Sequence, residues 1–260
     1  MGILFTKNTA FNLYYSQYHA NIVINSHKDW FPIYSSPRLA GIIADLICDG
    51  HIQGPKLWRF DYTSKNKKEL KRFEKQIFAL FKIRGKIRPN HGNIFGKTFN
   101  LGINNKLLSR ILNYLGAPYG PKVKTEFLIP EWVLNDKECF RTFTKRVFTC
   151  EGTVDISPKN SFVSLEMWKS IELIENGEEF LNQIKTKLKS YFGIECTNIF
   201  LGSNYNKRKD GTVTKGLRLR IKRLDSLIKF SKEIGFDNSL KQKKLDKIIK
   251  IRLGQSGMGQ

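Results

Sequence analysis

The strongest constraint on this chain is that it repeats itself. Residues 39–50 read LAGIIADLICDG and residues 143–154 read FTKRVFTCEGTV, so Cys48-Asp49-Gly50 is answered by Cys150-Glu151-Gly152. The two acids stand 102 positions apart, and the likeness runs past them. After Gly50 comes an extended stretch, LWRFDYTSK, then a helical pattern with Leu70, Phe73, Ile77 and Leu80 at spacings of three and four. After Gly152 comes SFVSLEMWKS, then a helical pattern carrying Phe180, Leu181, Ile184 and Leu188. Basic alternating strands follow in each half, and a last helix closes it. The pattern predicts an α+β fold made of two tandem units, each helix-strand-strand-helix-strand-strand-helix.

Period two marks the strands. Arg59, Asp61, Thr63 and Lys65 alternate with Trp58, Phe60 and Tyr62, and Arg84, Lys86 and Arg88 alternate with Ile83, Gly85 and Ile87. Thr98 and Asn100 alternate with Phe99, Leu101 and Ile103, and Arg218, Arg220 and Lys222 alternate with Leu217, Leu219 and Ile221. The stretch around Leu165 and Met167 alternates less cleanly. Each unit thus offers an apolar sheet face for its helices and a cationic face for a partner or for solvent. Ser36-Pro37 reads as a helix start, with the stop expected at Gly50 through backbone angles closed to other residues. PNHGN, residues 89–93, reads as a turn.

These signals divide the chain into an N-terminal extension (1–36), a first unit (37–116) and a Pro/Gly-rich linker (117–135). A second unit (136–236) and a C-terminal helix and tail (237–260) follow, with GQSGMGQ expected to be disordered.

The 45 Lys and Arg against 23 Asp and Glu leave a formal charge of +22, which calls for an anionic partner. Nucleic acid is the first candidate and an anionic membrane surface the second. No apolar run reaches the ~18 residues of a spanning helix, and no secretory signal opens the chain. MGILFT matches a loose acylation pattern that nothing else supports. The four cysteines show neither metal-ligand spacing nor a disulfide framework. An intracellular setting is expected, the cytoplasm of a prokaryote or an organelle, and not secretion.

IIADLICDG and TKRVFTCEG, each opening a matching unit, resemble the two motifs of a monomeric LAGLIDADG homing endonuclease across roughly residues 37–236. The resemblance implies two pseudosymmetric αββαββα units forming a saddle-shaped antiparallel β-sheet around two central packed helices. It implies a double-stranded DNA partner held in the saddle. The last acids of the motif helices, Asp49 and Glu151, would be catalytic and metal-binding. Their ion would be Mg²⁺ or another divalent metal such as Mn²⁺, or Ca²⁺ in a non-cleaving form. Asp45 lies one turn back from Asp49 and is read as structural. Lys65 and Lys169, at the ends of the strands that follow the motifs, would be the catalytic basic residues or ordinary phosphate contacts. Arg59, Asp61, Thr63, Arg84, Lys86, Arg88, Thr98, Asn100, Arg218, Arg220 and Lys222 would face DNA.

Small residues are expected where the two motif helices touch. Ala44 fits, and its counterpart Arg146 departs from the pattern. Cys48 and Cys150 read as packing residues, and surface or turn roles suffice for His27, His51 and His91. The activity implied is a site-specific double-strand DNA endonuclease encoded within an intron. The alternatives are an RNA maturase that binds the host intron and a cleavage-dead DNA-binding regulator on the same fold.

Overall fold

The computed structural model describes residues 2–90, 96–157 and 160–256. Its contacts group Met1–Lys122 with Pro130–Cys139 as one compact unit, and Val123–Ile129 with Phe140–Gln260 as the other.

In the first unit an N-terminal layer of β1 (Ile3–Phe5), α1 (Lys7–Phe11), α2 (Gln17–Asn25) and β2 (Ile33–Tyr34) precedes the repeat. It is fastened where Trp30 Nε1 donates to Phe81 O at 2.9 Å and Arg110 Nη1 donates to Leu13 O at 2.8 Å. His27 belongs to this fastening, with one ring nitrogen 2.9 Å from Val23 O and the other 3.3 Å from Asn105 Nδ2.

The repeat then runs α3 (Pro37–Ile47), β3 (Gly50–Gln53), β4 (Arg59–Ser64), α4 (Lys67–Phe81), β5 (Lys86–Asn90), β6 (Thr98–Ile103) and α5 (Lys106–Tyr114). The second unit repeats it with α7 (Lys137–Glu151), β7 (Gly152–Asp155), β8 (Phe162–Ser170), α8 (Ile174–Phe192), β9 (Phe200–Lys207), β10 (Val213–Ile221) and α9 (Leu224–Glu233). Between them lies the short α6 (Glu131–Leu134), and α10 (Ser239–Ser256) follows α9. The sheets have the orders β3-β4-β6-β5 and β7-β8-β10-β9, both antiparallel throughout. The fold is therefore α+β, with one topology used twice.

Local sequence explains the elements. The Ser36 hydroxyl accepts from Leu39 N, and Pro37 needs no amide partner in the first turn of α3. The Asn66 side chain caps α4 by accepting from Lys68 N, and α4 buries Leu70, Phe73, Ile77 and Phe81 along one stripe. Phe73 stacks on Tyr62 of β4 with centroids 4.6 Å apart. In the second unit α8 buries Phe180, Leu181, Ile184 and Leu188 and ends on Gly193 in the left-handed region.

The motif helices stop differently from expectation. Gly50 and Gly152 do not have positive φ; each is the buried first residue of a strand. A Cβ on Gly50 would lie 2.7 Å from Leu46 Cα, and one on Gly152 would lie 2.4 Å from Phe148 O. The chain passes from helix to strand so sharply that the strand crosses the helix's own last turn. Glycine is required by that contact rather than by backbone angle.

Other expectations also shift. The connection over residues 117–135 is packed, with Ala117, Ile129 and Val133 buried and Trp132 Nε1 donating to Leu115 O at 3.1 Å. The chain is still helical at residues 254–256, so the expected disordered tail does not begin there, and residues 257–260 lie outside the described residues. Pro89 and Asn90 end β5 instead of turning, and His91–Asn93 lie outside the described residues. α10 caps the second unit as its spacing suggests, burying Leu245 and Ile248.

Gly50→Ala and Gly152→Ala should each cost about 1–3 kcal/mol, because the clash is with fixed backbone. Gly254→Ala, with open space around it, should be neutral. Thermal melting of the three variants checks this.

Candidate nucleic-acid interface and acidic centres

α3 is buried from Leu39 to Ile47, and Cys48 beyond it is buried too. Asp49 is then exposed, and Gly50 is buried again. The second unit repeats the arrangement, with Glu151 exposed at the end of α7 and Gly152 buried after it. In each unit a helix sunk in the core thus delivers one carboxylate to the surface at its C-terminal end. Thr63 N donates to Asp49 O at 3.3 Å, which ties this end to β4.

A lysine stands at each of these ends. Lys122 Nζ donates to Cys48 O, the carbonyl leading into Asp49. Lys241 Nζ donates to Thr149 O at 2.6 Å and to Cys150 O at 3.3 Å, the latter leading into Glu151. Ammonium groups on terminal carbonyls offset the negative end of the helix. They also bring positive charge to the backbone of each acid. These lysines occupy no equivalent positions in the repeat: Lys122 lies in the connection and Lys241 in the helix appended after the second unit. Repeat alignment therefore passes them over.

Lys65 is exposed just past β4, and Lys169 is placed differently from its expected role. Tyr62 pairs with Gly50 and Leu165 pairs with Gly152. Lys65 lies three residues beyond Tyr62, whereas Lys169 lies four beyond Leu165, and a shift of one residue turns a side chain to the opposite face. Trp168 holds the position equivalent to Lys65. Lys169 points into the core, fully buried, and its Nζ donates to Thr125 O at 2.7 Å and lies 3.8 Å from the Phe127 ring centroid. It secures the incoming segment rather than facing a phosphate. Burial pulls its pKa down to about 8, against a smaller opposing effect of Glu126.

Asp45 is structural. Arg72 Nη2 donates to both its carboxylate oxygens at 2.9 Å, pinning α3 to α4. Arg146, at the position equivalent to Ala44, is buried and donates to Asp237 Oδ2 at 2.8 Å, pinning α7 to the segment before α10. Burial pushes the Asp237 carboxyl up, but hydrogen bonds from Arg146 and Lys145 outweigh this and hold it below its ordinary value.

On the first sheet, strand pairing puts the polar candidates on one face. His51, Asp61, Gly102 and Lys86 form one cross-strand rank, and Thr63, Asn100 and Arg88 form the next. Asn100 Nδ2 donates to Thr63 Oγ1 at 3.3 Å, Gln53 Nε2 to Asp61 Oδ2 at 3.2 Å, and Arg59 Nε to Gln53 Oε1 at 2.9 Å. A groove of about 470 Å³ opens among Arg59, Asp61, Arg84, Lys86, Arg88 and Asn100, floored by Gly85 and Gly102. Arg84 sits just before β5 and packs over the Phe78 ring at 4.2 Å. Thr98 is buried, contrary to the expectation that it faces a partner.

The second sheet is less open. Arg218 pairs with Glu166 at 3.1 Å. The Arg220 guanidinium lies between the rings of Phe162 and Phe200, at 4.2 and 4.7 Å. Lys222 sits just beyond β10 and is half-buried. Among the described residues no three His, Cys, Asp or Glu side chains gather into a metal cluster. Among the described residues no helix is long and apolar enough to cross a membrane.

No protein-family model matches the chain. It is 28% identical over 190 residues to the tRNA-splicing ligase RtcB of Methanopyrus kandleri, covering 65% of this chain and 19% of that protein. It is 26% identical over 175 residues to the replication factor C small subunit of Methanocaldococcus jannaschii, covering 62% of this chain and 10% of that protein. The chain thus spans less than a fifth of the length of either relative. Among solved structures it resembles the homing endonuclease I-WcaI bound to its DNA recognition sequence. The TM-score is 0.50 at 12% identity, over 84% of this chain and 91% of that one. It also resembles full-length DUF199/WhiA from Thermatoga maritima, with a TM-score of 0.51 at 14% identity, over 86% and 63%.

The buried lysine generates a pH signature. With its folded pKa near 8 and an ordinary value of 10.5, the unfolded chain binds more protons between the two. Stability from this residue should rise as pH rises through that window, by on the order of 2–3 kcal/mol. Denaturant unfolding of the parent and of Lys169→Met from pH 7 to pH 10.5 should show the rise in the parent and its loss in the variant.

Proposed function

We propose that this chain, which has the two-motif LAGLIDADG fold, is a site-specific, divalent-metal-dependent double-strand DNA endonuclease. The observation that carries the reading is the paired exposed acid. Of two equivalent helices, α3 is buried along its length and α7 along one face, and each exposes a carboxylate at its C-terminal end, with a lysine on the adjoining backbone carbonyls. A pure binder gains nothing from carboxylates set against phosphates. Two strands need two reaction centres, and one acid per unit supplies them.

The donor set fits Mg²⁺ of the kind that keeps most of its waters. One exposed carboxylate per unit, with no cluster of three metal-ligating side chains among the described residues, suits an ion held by one or two carboxylates together with substrate phosphate oxygens. When bound, such an ion would lower the pKa of a water and offset charge developing on the phosphate. Asp49 and Glu151 would hold it. Lys122 and Lys241 would keep the helix ends in place and offset the charge of the approaching phosphates. The exposed cations Arg59, Arg84, Lys86 and Arg88 would bind the duplex backbone and base edges.

The curated relatives support a module carried within larger hosts. A ligase and a replication factor have unrelated activities, yet each matches well over half of this chain, so the shared segment is the chemistry of neither. Fold by itself does not decide cleavage, since the same architecture occurs in WhiA.

The test is cleavage of a plasmid carrying the host sequence without this reading frame. Magnesium should linearise it. Asp49→Asn and Glu151→Gln should each slow cleavage by about 10²-fold or more while duplex affinity stays nearly unchanged. Full cutting by the double variant would remove the acids from the mechanism. Tight binding with no cleavage by the parent would favour the regulator, and preference for the intron RNA the maturase.

A further inference from the structure

We propose that the two units read DNA unequally. The first unit would discriminate bases in its half of the target, and the central strands of the second would hold theirs with little sequence preference. This rests on the DNA reading above.

Base reading by arginine needs an unoccupied guanidinium that can present two parallel donors to guanine, and asparagine reads adenine in the same bidentate way. The first sheet provides such an arginine in Arg88. Lys86 and Arg88 are exposed and have no ion pair among the described residues, and half-buried Asn100, whose Nδ2 donates to Thr63 Oγ1 at 3.3 Å, stands beside Arg88 across β5 and β6. Gly102, opposite Asp61 and Lys86, leaves the groove floor open to an incoming base edge.

The equivalent positions of the second sheet are spent on internal contacts. Tyr62–Leu101 in the first sheet corresponds to Leu165–Leu219 in the second, each beside the glycine that follows the acid. On that register Asn100 is replaced by Arg218 and Gly102 by Arg220. Arg218 is engaged by Glu166, whose carboxylate also repels DNA phosphates. Arg220 is clamped between Phe162 and Phe200, with its Nε buried and without a hydrogen-bond partner among the described residues. Trp168 then lies against Gly216, where an added Cβ would come within 3.2 Å of the indole. Beyond these central positions, the end of β9 from Ser203 to Lys207 and the β9–β10 turn are exposed, with Lys207, Arg208 and Lys209 as their cations. Cations at a turn contact phosphates, which position the protein without reading sequence.

The experiment is selection of bound duplexes from a randomised DNA library with the full chain in the absence of divalent metal. One half of the recovered site should be well defined and the other nearly degenerate. Arg88→Ala and Asn100→Ala should flatten the defined half, with losses of roughly 5- to 150-fold per base pair read. Glu166→Gln, which releases Arg218, should add a preference in the degenerate half. Two equally defined halves would overturn the inference and leave the DNA reading standing. So would a defined half that collapses on Arg218→Ala and survives Arg88→Ala. Recovery of no preferred duplex by the parent would take down the DNA reading, and this inference with it.

Discussion

Much of this structure depends on one steric constraint, the crossing of each motif helix by the strand that leaves it. α3 gives way to its strand through the two-residue turn Cys48-Asp49 and α7 passes directly into its strand, and each strand's first residue presses on the helix backbone one turn earlier. Only glycine fits there. Because the turn is tight, the residue before the glycine cannot follow its neighbours into the core, and Asp49 and Glu151 are left at the surface. The contact that fixes the start of each sheet also fixes where each acid stands.

Charge is arranged around that constraint in two ways. Inside each unit a half-buried arginine–aspartate pair ties the motif helix down, Arg72 to the buried Asp45 in one and the buried Arg146 to Asp237 in the other. Removing the more exposed partner of either pair, Arg72 or Asp237, takes an ion-pair partner from a buried charge and is destabilising. The pairs fix position more than they add stability. At the helix ends, lysines from outside the repeat settle on the last carbonyls. Each unit meets the same electrostatic need with residues from a different part of the chain, as expected of two copies that diverged under one physical demand.

The two sheets diverged further on their outer faces. The first leaves Lys86 and Arg88 without an ion pair among the described residues, around a polar groove that Asp61 also lines. The second consumes its arginines in an ion pair and an aromatic clamp. A net charge of +22 therefore says little about which surface is available to an anion.

The order of elements, the two acids and the polar alternation of β4 and β6 were legible in the sequence, because each is local: periodicity reports which side of an element is buried, and an acid–glycine step recurs in plain view. What tertiary structure decided is whatever depends on register and on partners distant in the chain. Lys169 looked like the counterpart of Lys65, but one residue of strand register sends it into the core, and alternation blurred by an outward Trp168 and an inward lysine could not show this. Arg146 looked misplaced until Asp237, ninety-one residues on, supplied its charge partner. Lys122 and Lys241 carry no signal in the repeat, since nothing in a linear pattern tells which distant ammonium will reach a helix end. The sequence determined which residues could do chemistry, and packing between segments far apart in the chain decided which of them face outward to do it.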